Sequence, residues 1–138
     1  MTDLRMNEVL NIGFKVVITP EDIDDIMVSA LEGGINYWAD EAKVEEDKRV
    51  AAWGHERISR GRCLKIHTME PFDEDDTEWY ELTKEKFLKG IERYIAQPTS
   101  GDFLEFVDHE LRIDAGNVDA VVADAIIQYA LFGEIIYG

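Results

Sequence analysis

The sequence predicts an α+β fold in which about three helices pack on a small, mainly antiparallel sheet. The chain has 138 residues and a mass of 15.8 kDa, a size that suits one acidic domain over residues 1–138. Apolar residues make up 46% of the chain, which is enough to build a core. Three segments show helical spacing of apolar residues, and the few strand-like segments are separated by uneven spacers. Such spacing disfavours a regular βαβ winding.

The first two predicted elements are a short strand and a long helix. Residues 14–18 (FKVVI) are rich in Val and Ile and end at Thr19-Pro20, which predicts a strand. The threonine can cap a helix that has proline at its first position and acids in its first turn. Apolar and small residues recur at helical spacing through Gly33-Gly34, which predicts one helix over residues 20–41. Two helices broken at the glycine pair are the alternative, and Gly34 lies on the apolar stripe, where it would let another element approach closely.

The middle of the chain contains one predicted strand, one loop and one helix. Residues 43–61 show no clear pattern, whereas residues 62–68 (RCLKIHT) alternate like a strand. Residues 70–78 (EPFDEDDTE) are typical of an acidic loop. A threonine then caps a predicted helix over residues 83–96. The apolar stripe of that helix consists of Phe87, Leu88, Ile91 and Ile95.

The last third of the chain contains a break, an ambiguous segment and a final helix. Residues 98–101 (PTSG) interrupt the regular secondary structure. Residues 103–107 (FLEFV) fit either a strand or a helix. The final helix begins near Asn117 and stops at Gly133. The tail, residues 134–138 (EIIYG), is apolar, so we expect it to pack on the body of the protein or on another subunit. The stripe of the final helix consists of Val118, Val121, Val122, Ala125, Ile126, Tyr129 and Ala130.

The composition excludes several classes of function. There are 30 acidic and 14 basic residues, and the net charge is −16. This charge disfavours direct binding to nucleic acid or to an anionic membrane, because the phosphates would be repelled. A single cysteine allows no intrachain disulfide and suits a reducing cytoplasm. The sequence shows no signal-peptide pattern and no apolar run of about 20 residues, so we expect a soluble cytoplasmic protein.

The charge is unevenly distributed along the chain. Residues 1–42 and 69–138 are strongly acidic, whereas residues 43–68 carry more bases than acids. This basic segment, with Trp53 beside it, is the candidate anion-binding island. The island has three interpretations: its bases pair with acids of the same domain or of a neighbouring subunit, they hold a small anionic ligand such as a nucleotide, or they contact a protein partner. Its residues are Trp53, His55, Arg57, Arg60, Arg62, Lys65 and His67.

The acidic residues form a second candidate site, a surface that binds a partner. They are most often merely solubilising, and neither catalysis nor calcium binding is favoured. The loop lacks the glycine and glutamate positions of an EF-hand. The helical candidates are Asp22, Asp24, Asp25 and Glu32, and the loop candidates are Asp73, Glu74, Asp75, Asp76 and Glu78.

No catalytic set, metal site or cofactor is predicted. Cys63 and His67 share one face of a strand but lie about 13 Å apart at roughly 3.3 Å per residue, too far for the histidine to activate the thiol. His109 would complete a site only through a contact made by the fold. No paired Cys/His spacing suits zinc, and no glycine-rich loop is placed to hold phosphate. We therefore expect a protein that is not an enzyme.

Four segments resemble a known family: residues 18–42 (ITPEDIDDIMVSALEGGINYWADEA), 61–67 (GRCLKIH), 79–95 (WYELTKEKFLKGIERYI) and 119–138 (DAVVADAIIQYALFGEIIYG). The chain is similar to small acidic proteins of unassigned function that phages, prophages and other mobile elements of bacteria encode. The resemblance brings no catalytic residues. It implies the cytoplasm of a bacterial host, and a role in countering host defence.

Two mechanisms fit that context. In the first, acidic side chains mimic DNA, as anti-CRISPR proteins and other DNA mimics do, and bind a host protein with a basic groove. In the second, the protein sequesters an anionic nucleotide signal at Trp53 and the arginines of the island. A structural or interaction protein of another role is the third possibility. The apolar tail and the aromatic residues also suggest a homodimer.

Overall fold

The computed structural model describes residues 6–44, 54–98 and 103–138. The architecture is α+β, which confirms the predicted fold class. A π-helical turn, Ala30–Gly34, extends the first helix, and two 3-10 turns cover Gly54–Glu56 and Ala115–Asn117. The regular elements in chain order are β1 (Val16–Val17), α1 (Pro20–Ser29), β2 (Ala39–Lys43), β3 (Leu64–Thr68), β4 (Trp79–Leu82), α2 (Lys84–Ala96), β5 (Leu104–Val107), β6 (Glu110–Ile113) and α3 (Ala120–Phe132).

The strands form two three-stranded sheets. Sheet A has the order β1-β6-β5, with β5 and β6 antiparallel and β1 parallel to β6, so that Val16 pairs with Leu111. Sheet B has the order β2-β3-β4, and both of its pairings are antiparallel. Asp108 and His109 form the two-residue turn of the β5–β6 hairpin, with φ of 51° and 66°. Positive φ at both positions is typical of the type I′ turn that matches the twist of a hairpin.

The helix ends follow the capping chemistry of the sequence. The Thr19 side chain accepts a hydrogen bond from the Asp22 backbone at 3.1 Å, and the Asp22 carboxylate accepts one from the Thr19 backbone N–H at 2.9 Å. Thr83 caps α2 by accepting from the Lys86 backbone. Both caps confirm the predicted helix starts. The helix α3 begins at Ala120 with Asp119 as its cap, slightly later than predicted.

The first helix is shorter than predicted. Its π-helical turn ends at Gly34, and the next residues form a turn that leads into β2, so neither one helix over residues 20–41 nor two helices is correct. A Cβ atom added at Gly34 would lie 2.6 Å from the carbonyl oxygen of Ala120. Gly34 therefore allows the close approach to α3 that its place on the apolar stripe predicted.

The helix α3 lies at the centre of the protein. Every residue from Val122 to Gln128 is buried, so α3 has no simple amphipathic stripe. Val121, predicted to be in the core, is exposed instead. The helix α2 crosses α3 closely at Gly90, where an added Cβ atom would lie 2.6 Å from the Ile126 carbonyl oxygen. Gly133, with φ of 78°, ends α3 as predicted.

Candidate functional site

The acidic residues of α1 divide into structural and exposed groups. Asp22 belongs to the capping box, and Asp24 is half-buried. Asp25 and Glu32 are exposed, together with Glu21, which the sequence analysis did not select. Residues four apart lie on one face of an α-helix, so Glu21 and Asp25 are about 6 Å apart along the axis of α1, and Glu32 follows in the π-helical turn. We call Glu21, Asp25 and Glu32 the acidic ridge. The i, i+4 spacing of Glu21 and Asp25 was the pattern that could have identified it.

The acidic loop, residues 70–78, is held in shape by Asp73. Its carboxylate accepts hydrogen bonds from the Thr77 backbone at 2.7 Å and from the Thr77 hydroxyl at 2.5 Å. These bonds, the hydroxyl's first, lower the pKa of Asp73 below its usual range. Phe72 anchors the loop by packing edge-on against Phe132, with ring centroids 5.0 Å apart. Asp73 is therefore an organiser of the loop rather than part of its binding surface.

The remaining carboxylates of the loop point outward. Glu74, Asp75 and Asp76 are exposed, and none forms an ion pair with any residue that the structure describes. Asp76 adopts φ of 52°, a conformation that Asp and Asn tolerate better than other residues. Glu78 is also exposed, but it lies near His67. The loop thus presents three adjacent carboxylates on a backbone fixed by hydrogen bonds.

The ridge and the loop do not form one cluster. The helix α1 contacts the turn at residues 115–117, which precedes α3, whereas Phe72 of the loop packs at the last residue of α3. The 13 residues of α3 span roughly 20 Å at 1.5 Å per residue. The predicted acidic surface therefore consists of two separate regions.

The basic island is only partly exposed. Trp53 lies outside the described residues. Arg57 is 1% exposed and its Nε donates to the Cys63 carbonyl oxygen at 3.2 Å, so it belongs to the interior and is not a surface anion ligand. Arg60 pairs with Glu56 at 3.5 Å.

The other members of the island are dispersed over the surface. His55 is half-buried in a 3-10 turn, Arg62 is exposed, and Lys65 is half-buried on β3. Arg62 and Lys65 both have partners in the structure. These positions fit the interpretation in which the bases pair within the domain.

His67 lies on the outer face of sheet B between two carboxylates. Its Nδ1 is 2.5 Å from Asp40, and its Nε2 is 3.7 Å from Glu78. The hydrogen bond to Asp40 raises the pKa of His67 above its usual value. The imidazole ring packs on Trp79 at 4.8 Å, and the Lys43 ammonium lies 5.8 Å from the same indole. A ring with both nitrogens facing carboxylates is favoured as the cation, which is a poor general base.

His109 does not complete a site with Cys63 and His67. It occupies the hairpin turn of sheet A, whereas His67 belongs to sheet B. In the described parts of the chain, no three His, Cys, Asp or Glu side chains are grouped closely enough to hold a metal ion.

A buried carboxylate on α3 organises the best-defined polar network. Asp124 accepts hydrogen bonds from the Trp38 indole at 2.8 Å, from the Tyr37 hydroxyl at 2.6 Å and from the Gln128 amide at 2.9 Å. Burial, then the hydrogen bond to Asp124, raises the pKa of Tyr37 to about 12. Because its partners all act as donors to it, the carboxylate serves to hold α3 against the turn after α1. The sequence analysis missed it because an aspartate within an apolar helix has no spacing that predicts its partners.

The same network holds the C-terminal tail on the body of the protein. The Gln128 side-chain oxygen accepts from the backbone of Ile136 and of Tyr137, both at 2.8 Å. The Tyr137 ring stacks on Trp38 with centroids 5.2 Å apart. A cleft of about 470 Å³ lies beside the tail, between Tyr37 and the start of α3. The tail therefore packs on its own chain, one of the two predicted arrangements.

Comparisons of the chain with family models, with curated proteins and with solved structures return no match, and no enzyme family or fold is identified. Among the described residues, no helix is long and apolar enough to cross a membrane.

Proposed function

We propose that this chain is a non-enzymatic accessory protein of a phage or mobile element that inhibits a host defence or nucleic-acid-binding protein. Its carboxylates occupy a basic groove that otherwise holds phosphates. The observation that carries this proposal is the loop: Glu74, Asp75 and Asp76 project from a fixed backbone without an ion pair among the described residues. The resemblance to phage-encoded acidic proteins supplies the biological setting.

The fixed loop makes the electrostatic interaction efficient. Asp73 and Thr77 close the loop, and Phe72 ties it to α3, so binding orders little additional backbone. Carboxylates are good acceptors for the guanidinium and ammonium groups that line a nucleic-acid groove. The net charge of −16 steers the protein toward a cationic surface. The acidic ridge lies near the opposite end of α3, a helix that spans roughly 20 Å, so it provides a second, separate contact region.

The test compares two variants with the same change in net charge. The loop variant combines Glu74→Lys, Asp75→Lys and Asp76→Asn, with asparagine chosen because it tolerates positive φ. Asp73 is retained because it organises the loop. The control combines Glu85→Lys, Glu105→Lys and Asp108→Asn, which are exposed residues elsewhere, and Asp108 also has positive φ.

The assay identifies the proteins that co-purify with the wild type from bacterial cells, then measures the affinity of the purified pair at several salt concentrations. We expect the loop variant to lose about tenfold or more in affinity, at roughly 1.4 kcal/mol per tenfold, and the control to stay near the wild type. Duplex DNA should compete, and salt should weaken binding. The proposal would be contradicted if the loop variant bound as tightly as the wild type. It would also be contradicted if neither duplex DNA nor salt weakened the binding of the wild type.

The nucleotide alternative has less support. Arg57 is interior, so the ligand would lose one of its expected arginine contacts. A rise in melting temperature with a nucleotide, abolished by Arg60→Ala or Trp53→Ala, would favour this alternative over the acidic inhibitor.

A further inference from the structure

The segment before β1 exposes a series of apolar side chains, and of these Phe14 packs edge-on against Phe106 with ring centroids 6.0 Å apart. We call residues 6–14 the N-terminal arm; it has no regular secondary structure. Its large apolar side chains range in exposure from 61% for Phe14 to 86% for Met6. Scattered apolar residues are ordinary on a protein surface, but a contiguous series marks a contact region. The other members of the series are Val9, Leu10 and Ile12.

An open groove lies beside the point where the arm enters the fold. It has a volume of about 590 Å³ and separates β1 from α2. Its lining is mainly aliphatic, with Ile18, Leu88 and Ile95 only partly buried. Since β1 is the terminal strand of sheet A, one side of its backbone has no strand partner among the described residues. A strand edge with unpaired backbone groups can pair with another chain, and Lys15 is the single charged residue within residues 9–20.

Charge favours a second copy of this chain as the occupant of the groove. Residues 6–18 contain one acid, Glu8, and one base, Lys15, so the segment is neutral. The helix α2 contains four bases and two acids. Two molecules of net charge −16 repel each other over most of their surface. Repulsion is weakest where the neutral segment, residues 6–18, meets α2, which carries more bases than acids.

We propose that two copies of this chain exchange their N-terminal arms. The arm of each copy lies along the free edge of β1 of the other and places its apolar side chains in the groove between β1 and α2. The exchange is reciprocal, as expected for a twofold dimer. It assigns the dimer contact to the N-terminal arm, since the apolar tail is already packed on its own chain.

The apolar area of the arms is sufficient for a stable dimer. Phe14 lines the groove itself, so four side chains of the arm are available. At 1.5–3 kcal/mol per side chain and about 25 cal/mol per Å², they correspond to roughly 240–480 Å² per arm. Each arm covers a similar area of groove, so the dimer buries roughly 960–1,900 Å² in total, which overlaps the standard interface range.

The oligomeric state of the full chain, measured by sedimentation or light scattering at micromolar concentrations, tests the exchange. The arm variant is Val9→Ser with Leu10→Ser and Ile12→Ser, and the matched control is Val121→Ser with Ile135→Ser, which changes exposed side chains beside the other cleft. We expect the wild type and the control to be dimers, and the arm variant to be a monomer with an unchanged circular dichroism spectrum. A monomeric wild type, a dimeric arm variant or a monomeric control would each overturn the proposal.

A disulfide tests the position of the arm without relying on a destabilised variant. Cys63 is first replaced by serine; one preparation then carries Leu10→Cys and another carries Ile95→Cys. Mixing them under mild oxidation should give a covalent heterodimer. The pair of Leu10→Cys with Val121→Cys should give none. Absence of the first product, or equal yields of both, would overturn the placement of the arm in the groove.

Discussion

Replacing Gly34 with alanine should destabilise the protein far more than replacing its neighbour Gly33. A Cβ atom at Gly34 would lie 2.6 Å from the Ala120 carbonyl oxygen and 3.3 Å from the Asp124 backbone nitrogen. A Cβ atom at Gly33 would meet nothing within 4 Å. Neither glycine has a left-handed φ, so alanine is compatible with both backbones. The two variants therefore differ in their contact with α3.

The size of the effect follows from the required displacement. Ordinary contact begins at 3.4 Å, so alanine at position 34 must push α3 away by about 0.8 Å. That movement stretches the hydrogen bonds to Asp124, which are 2.6 Å from Tyr37 and 2.8 Å from Trp38. Overpacking costs about 1–3 kcal/mol, and each weakened bond to a charged acceptor adds up to about 1.5–3 kcal/mol. Alanine at position 33 should instead stabilise by about 0.4–1 kcal/mol by restricting the unfolded chain.

Urea unfolding, followed by tryptophan fluorescence and circular dichroism, measures both variants against the wild type. We expect the midpoint to rise for Gly33→Ala and to fall for Gly34→Ala, with a difference in unfolding free energy of at least about 2 kcal/mol. Equal stability of the two variants would refute the close approach of α3 to Gly34.

Three further predictions concern the polar groups. Asp124→Asn should lower the unfolding free energy by about 2–4 kcal/mol in the same urea assay, because a charged acceptor becomes a neutral amide with donors of its own. The pKa of His67 is raised in the folded state, so its stabilising contribution is present below the unfolded pKa of about 6.5 and is lost as the pH rises through the folded value. The stability difference between the wild type and His67→Gln should therefore shrink from mildly acidic to alkaline pH. Gln128→Leu should accelerate hydrogen exchange at the Ile136 amide without loss of α3, because that amide loses its acceptor.

Each of these predictions has a result that would contradict it. An Asp124→Asn protein as stable as the wild type would show that the indole and phenol do not depend on a charged acceptor. If the stability difference between the wild type and His67→Gln did not change with pH, protonation of His67 would not contribute to stability. Unchanged exchange at Ile136 would mean that the tail is held by Tyr137 packing alone.

The elements that were predicted correctly from the sequence are defined by interactions between residues close to one another in the chain. Thr19 and Thr83 cap helices through bonds to residues three positions away. The alternation of residues 62–68 buries Leu64 and Ile66 on one face of β3. Gly133 stops α3 through its own backbone conformation. Because these interactions lie within one turn or one strand, the sequence pattern is sufficient to predict them.

The missed elements depend on partners distant in sequence. The strand β2 (ADEAK) shows no apolar alternation, and four of its five residues are exposed; it is a strand because it pairs with β3. The β5–β6 hairpin turns at Asp108 and His109 without the glycine that usually marks such a turn. Val121 has the spacing of a core residue, but it is exposed because no element in the described part of the chain covers that side of α3.

The candidate site also combines features that the sequence predicts with features that depend on residues distant in the chain. Sequence reasoning identified the acidic residues but did not separate Asp22 and Asp73, whose carboxylates hold backbone, from the exposed acids beside them. It included Arg57 among the candidate anion ligands, although the fold buries its side chain. Whether a charged side chain is structural or available is decided by neighbours that only the folded chain brings together.

The parallel pairing of β1 with β6 has a consequence for the newly made protein. Val16 is synthesised before its partner Leu111, and 94 residues separate the two in the chain. During that interval the first strand and the apolar residues before it have no native neighbour, a condition that promotes association of nascent chains. A strong excess of negative charge keeps such chains apart. We therefore expect the acidity of the protein to limit the association of nascent chains before sheet A is complete.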